Sequence, residues 1–249
     1  MNYGICHLSI IPIRKENRHQ SELVSQLVYG DCFKIISVKK DWIQILTIQD
    51  EYSGWIEKKE IKNIPQEEVE KISNLSPQYS IQLIDTVELE DSSLISIFLG
   101  SNVSGANFLK HKFNGSFLQG PKDKSSIIKT AYLYLNTPYF WGGKTPMGID
   151  CSGLIQMIYR INGYNIPRDA SEQVNFGETL SFIDESEPGD LAFFDNDEGT
   201  IIHVGILLEN HYILHADGKV RVDRIDQTGI YNFENQQHSH KLRVIKKII

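Results

Sequence analysis

The hydrophobic rhythm of the chain changes twice. Up to about residue 64, short runs rich in Ile, Val, Phe and Trp alternate with polar turns, at 4–13, 32–38, 42–47 and 54–56. Such runs predict strands, and a helical period first appears at 64–72. Short strands over residues 1–64 predict a small barrel of the SH3-like kind. The segment PQEEVEKISNLSP (65–77) is charged and flanked by proline, which predicts a linker or a short helix. Residues 78–120 return to β character, with runs at 80–89, 94–99 and 108–117. They are shorter and less regular, and predict a degenerate second barrel segment.

From residue 121 the period becomes helical. Ile127, Ile128, Ala131 and Leu135 fit one helix over 125–135, and Leu154, Ile155, Ile158 and Ile161 repeat at i, i+1, i+4 and i+7 in a second. Gly163 is a plausible stop signal. Strand-like runs follow at 190–194, 203–208, 211–215, 219–222 and 242–249. Helices followed by an antiparallel-looking sheet predict an α+β domain over 121–249.

Composition narrows the function classes. With 25 Lys+Arg against 32 Asp+Glu the net charge is −7, and basic residues form only short pairs, so nucleic acid is not an expected partner. No apolar stretch approaches the ~20 residues that span a bilayer. The first ten residues carry no basic leader and no cleavage site, which sets a cytoplasmic expectation; a secreted protein whose leader was removed is the alternative. Three cysteines, Cys6, Cys32 and Cys151, leave at least one thiol free, and no metal-ligand spacing occurs. Neither a metal nor another cofactor is expected.

Cys151 stands in GIDCSG, directly before the second helix. A helix N-terminus lowers a thiol pKa and favours thiolate; the competing reading is a small buried hydrophobe, the commoner fate of a free cysteine. A thiolate nucleophile needs a base, and the base needs an orienting group. His203 (IIHVG) and His215 (ILHAD) lie twelve residues apart around a turn at Glu209-Asn210, a hairpin that would set both imidazoles on adjacent strands. A strand histidine alone is more often structural, so both readings stand on pattern.

The stretch TPYFWGGKTPMGIDCSGLIQMIYRINGYNIPRDASEQ (137–173), with PGDLAFF (188–194), HVGI (203–206) and HAD (215–217), closely resembles the NlpC/P60 family of cysteine peptidases. YGD (29–31) and YSGW (52–55) resemble the bacterial SH3-like domains that often precede it. The resemblance implies a papain-like α+β catalytic domain behind one or two small SH3-like barrels. It also implies hydrolysis of the γ-D-Glu–L-diamino acid bond, Lys or diaminopimelate, in murein tri- or tetrapeptides with a free N-terminal L-Ala. That activity would serve cell-wall peptide recycling, and a monomer is expected.

Matched residue by residue, Cys151 is the nucleophile, His203 the general base and His215 the orienting residue. Substrate contacts fall on Tyr139, Asp150, Ser152, Asp169 and Ala170, and on Tyr52 and Glu22 of the barrel. Asp31 is the fallback for Glu22 as amine anchor, and Arg168 either meets the D-Glu carboxylate or stabilises a loop. His7, His19, His111, His211, His238 and His240 match no catalytic position and are read as surface or structural. The alternatives are a secreted peptidoglycan hydrolase, a non-catalytic wall-peptide-binding module, and a related acyltransferase or amidase.

Overall fold

A computed structural model describes residues 3–249, which form two compact units. Unit 1 runs to Pro121 and takes in two later segments, Trp141–Pro146 and Gly163–Asn165. Its first part is a seven-stranded antiparallel sheet of β1 (Tyr3–Ile5), β2 (Ile10–Arg14), β3 (Leu23–Val28), β4 (Cys32–Lys39), β5 (Trp42–Thr47), β6 (Ser53–Glu57) and β7 (Lys62–Ile64), in the order β3-β2-β6-β5-β4-β1-β7. Alternate residues point inward, so Ile11, Ile13, Ile43, Ile45 and Ile56 pack with Cys6, Leu27 and Phe33 in one core. The apolar run at 4–13 is two strands, because Cys6 leaves the ladder to exchange backbone hydrogen bonds with Gly30 and Asp31. β3 is cryptic in sequence because its polar Ser25 and Gln26 are buried beside Leu27 and Val28.

The rest of unit 1 is built onto a second core. Helix α1 (Gln66–Ser73) turns Val69 and Ile72 against Ile5, Tyr29, Cys32 and Ile64 of the sheet and Val87, Ile97, Val103 and Leu109 beyond it. In that region β8 (Gln78–Ser80) pairs with β11 (Phe117–Gln119), and β9 (Ile84–Glu88) pairs with β10 (Leu94–Phe98), as separate two-stranded sheets. The run at 108–117 is not a strand. A 3-10 turn at Ala106–Leu109 buries Leu109, and Lys110 follows in the left-handed region at φ 59°, which breaks extension. The later strand β12 (Lys144–Thr145) belongs here too, its Lys144 N–H donating to Gln26 Oε1 at 2.8 Å. Gly142 makes that approach possible: at φ 77° it lies so near β3 that a Cβ would fall 2.6 Å from the Leu23 carbonyl oxygen.

Unit 2 begins at Lys122. Helix α2 (Lys124–Leu133) is capped by Asp123, whose side chain accepts from Ser126 N–H. β13 (Gly148–Ile149) leads into α3 (Cys151–Ile161), and α4 (Ala170–Gln173) is a single turn. An antiparallel sheet follows, made of β14 (Glu178–Leu180), β15 (Leu191–Asp195), β16 (Ile201–Leu208), β17 (Tyr212–Asp217), β18 (Lys219–Ile225), β19 (Gly229–Asn232) and β20 (Gln237–Lys247). The order is β14-β20-β15-β16-β17-β18-β19, and β20 also pairs with β19, which closes six of the strands on themselves. Every residue of α3 is buried, and the helix packs against β16. Among the described residues no helix is long and apolar enough to cross a membrane.

Candidate active site

Cys151 is the first residue of α3, three residues earlier than the apolar period begins, because Asp150 starts the helix. Asp150 is extended (φ −95°, ψ 175°), and its Oδ1 accepts the Gly153 N–H at 2.7 Å. Arg168 grips the same carboxylate on both oxygens, Nη1 to Oδ1 at 3.0 Å and Nη2 to Oδ2 at 2.6 Å, and Nη1 also donates to Ser152 Oγ at 2.9 Å. Gln173 Nε2 donates to the Ser152 and Pro167 carbonyls at 3.0 and 2.8 Å, tying the 167–173 loop to the helix start. Arg168 is only 1% exposed. Both of its terminal nitrogens are engaged within the protein, which fits the loop-holding one of its two expected roles. Asp150 is likewise engaged by protein donors, and here it supports the helix that Cys151 begins.

Burial works against the thiolate that the helix start alone would favour. Burial, reinforced by the Asp150 charge, pushes the Cys151 thiol up to about 12, although the Val204 and Ser152 backbone N–H groups and Arg168 pull the other way. Burial also holds His203 well below the ordinary imidazole range, with the His215 and His240 rings adding to the effect. Both shifts favour the uncharged forms, a neutral thiol and a neutral imidazole. The sulfur lies beside the Val204 N–H, one residue past His203.

The two histidines share a sheet face by register. Gly205 on β16 pairs with His215 on β17, and His203 lies one pleat from Gly205, so both rings project the same way. His203 Nε2 and His215 Nδ1 are 2.9 Å apart. His215 in turn pairs in register with Arg221 on β18, one pleat from Asp223, and His215 Nε2 lies 3.1 Å from Asp223 Oδ2. His240 on β20 stacks on His203, centroids 4.2 Å apart and planes 24° from parallel. Closure of the sheet through β20 brings His240, expected to be surface or structural, onto the imidazole pair.

Tyr139 forms a parallel bridge with Ile149, two residues before Cys151, and its N–H donates to the Gly218 carbonyl. Burial, with the neighbouring Cys151 and Asp150, pushes its phenol up to about 12, so it stays a protonated donor at neutral pH. Ala170 is buried, and Asp169 is half-buried where the chain enters α4. In unit 1, Glu22 accepts from Trp141 Nε1 at 2.9 Å and pairs with Lys15 at 3.4 Å. Tyr52 is half-buried, its N–H bonded to Thr47 Oγ1. Asp31 is buried and accepts the Val28 N–H at 3.0 Å, holding the β3–β4 turn; that makes it a poor amine anchor. Cys6 and Cys32 are buried free thiols in the two cores of unit 1. Among the described residues no group of three His, Cys, Asp or Glu could hold a metal ion.

Residues 136–239 match the NlpC/P60 family, and residues 13–61 match the bacterial dipeptidyl-peptidase SH3 domain. The chain carries an NlpC/P60 domain behind a bacterial SH3 domain. The chain is a cysteine peptidase. It is 27% identical over 220 residues to the gamma-D-glutamyl-L-lysine dipeptidyl-peptidase of Bacillus subtilis, covering 77% of this chain and 71% of that one. It is 27% identical over 239 residues to dipeptidyl-peptidase 6 of Lysinibacillus sphaericus, covering 83% and 86%. An NlpC/P60 family protein from Bacillus cereus superposes over 99% of both chains with a TM-score of 0.81 at 17% identity, which establishes a shared fold.

Proposed function

We propose that the chain hydrolyses the γ-D-Glu–L-diamino acid bond of murein peptides, with Cys151 as nucleophile, His203 as the proton-transferring group and His215 orienting it. The observation that carries this reading is the placement of a helix-start cysteine against the strand of His203, with His215 hydrogen-bonded to that ring. The names of the relatives supply the bond class.

His203 Nε2 is committed to His215, which leaves Nδ1 for the chemistry. The Cys151 S–H proton passes to His203 Nδ1 as sulfur bonds to the γ-carbonyl carbon and the C=O π pair moves onto oxygen. Starting from a neutral pair, charge separates only as the bond forms. The Cys151 backbone N–H and the Tyr139 hydroxyl are the donors proposed for the oxyanion. The tetrahedral adduct breaks its C–N bond, and the Nδ1 proton goes to the departing α-amine. Water then gives a proton to Nδ1 while its oxygen attacks the thioester, and the same proton returns to sulfur as the acid leaves.

The decisive experiment incubates L-Ala-γ-D-Glu-L-Lys, and its meso-diaminopimelate analogue, with wild type and with Cys151→Ala. Release of L-Ala-γ-D-Glu by wild type alone is expected; equal turnover by both removes Cys151 from the mechanism. The reading includes a demand for a free L-Ala amine, which would confine the enzyme to released peptides and suit a recycling role in the cytoplasm. N-acetylated substrate should then resist cleavage, and efficient cleavage of it would favour a hydrolase of intact wall.

A further inference from the structure

We infer that Asp223, clamped by Arg221, is a positioning residue that fixes the tautomers of His215 and His203 so that His203 Nδ1 carries the lone pair that accepts the thiol proton. The inference rests on the peptidase reading above and extends it by one residue.

Asp223 is 2% exposed, and its Oδ2 lies 3.1 Å from His215 Nε2. Arg221 brings Nη2 to Oδ1 at 3.1 Å and Nε within 2.7 Å of Oδ2, while its Nη1 reaches Glu234 at 3.1 Å. A guanidinium on both oxygens keeps the carboxyl ionised. Burial acts against ionisation, but the hydrogen bonds from His215 and Arg221 outweigh it and hold the group below the ordinary carboxylate range.

An ionised carboxylate only accepts, so His215 Nε2 carries the hydrogen. In neutral His215, Nδ1 is then a lone pair, and the 2.9 Å contact requires the hydrogen on His203 Nε2. Neutral His203 is left with its lone pair on Nδ1. With the hydrogen on Nδ1 instead, His203 could not take up the thiol proton and would have two acceptors facing across the contact. The device spans three adjacent strands and depends on the register Gly205↔His215↔Arg221.

The charged and titratable neighbours of the pair are Cys151, His240 stacked on His203, Arg221 and Asp223, with Glu234 behind Arg221 and Asp217 acting on His240. Among these, Asp223 is the anion hydrogen-bonded to His215. Its loss makes an imidazolium harder to form, so the acidic limb of the activity profile should move to lower pH.

Two measurements test this. In protein labelled with 15N-histidine, long-range 1H–15N correlation spectra at neutral pH should show His203 and His215 both protonated at Nε2 and bare at Nδ1. Asp223→Asn should give mixed tautomers. A wild-type spectrum with either ring protonated at Nδ1 overturns the inference, and needs no variant that could misfold. In turnover, Asp223→Asn should lower kcat roughly 10- to 100-fold with little change in KM, and shift the acidic limb to lower pH. A kcat within twofold of wild type, or a fall in kcat with tautomers and pH profile unchanged, refutes the relay and leaves a structural role. Failure of wild type to cut the peptide would sink the peptidase reading, whereas the unliganded spectra test the relay independently of turnover.

Discussion

Replacing Arg168 by Met should strike the helix that Cys151 begins through the side chain that builds its start. Arg168 is 1% exposed, contacts both Asp150 oxygens and also holds Ser152 Oγ. Its removal leaves the buried carboxylate without its guanidinium, and breaking a buried pair from one side costs about 3–5 kcal/mol. That is a large share of the roughly 5–15 kcal/mol that stabilises a typical domain. Asp150→Asn keeps a good helix cap but strands the arginine, with a comparable loss. The double variant removes both charges together, so its loss should fall short of the sum by about 1–3 kcal/mol.

The assay must report on unit 2. Trp42, Trp55 and Trp141 all lie in unit 1, so tryptophan fluorescence would follow the wrong unit. Cys151 is the single thiol of unit 2, and pulse alkylation along a urea series, read by mass spectrometry at that residue, gives the midpoint needed. An Arg168→Met loss below about 1 kcal/mol, or strictly additive losses in the double variant, would refute a pair that builds the helix start.

Other outcomes follow from the same site. Because burial holds the Cys151 thiol neutral, its alkylation by iodoacetamide in the free protein should rise about tenfold per pH unit from 6 to 9; a plateau across that range would indicate a preformed thiolate–imidazolium pair. Burial lowers His203, His240, His7 and His111 in the folded state. The unfolded chain therefore binds more protons below about pH 6.5, and stability present above that pH is lost on acidification by up to about 1.4 kcal/mol per unit for each group. Urea midpoints that stay level or rise between pH 7 and 5 would contradict this. Gly205→Ala would place a Cβ 2.7 Å from Ile213 Cδ1 and 3.0 Å from His215 Cβ. It should cost about 1–3 kcal/mol and lower kcat as His215 shifts; unchanged kcat and stability would show that the strands yield freely there.

What the sequence discloses of this site is what lies close along the chain. The GIDCSG stretch and the apolar period behind it locate a helix-start cysteine, and the run from IIHVG to ILHAD spells a hairpin with a histidine on each arm. Asp223 is harder to see, since nothing in VRVDRI marks it as buried. Its face is decided by which residue of β18 pairs with His215, and a slip of one residue would turn it to the other side. His240 is harder still: it meets His203 only because β20 pairs with both β15 and β19 and closes the sheet, a contact with no local signal. The thiol shows the same division in energetic form. A helix start argues for thiolate from local geometry, but the sulfur is buried beside β16 and one residue from the Asp150 charge, and desolvation outweighs the local field. Local pattern thus locates the groups proposed to react, while burial and strand register govern their protonation. Substitutions at Asp223, Gly205 and Arg168 should for that reason alter the chemistry of Cys151 and His203 without changing either residue.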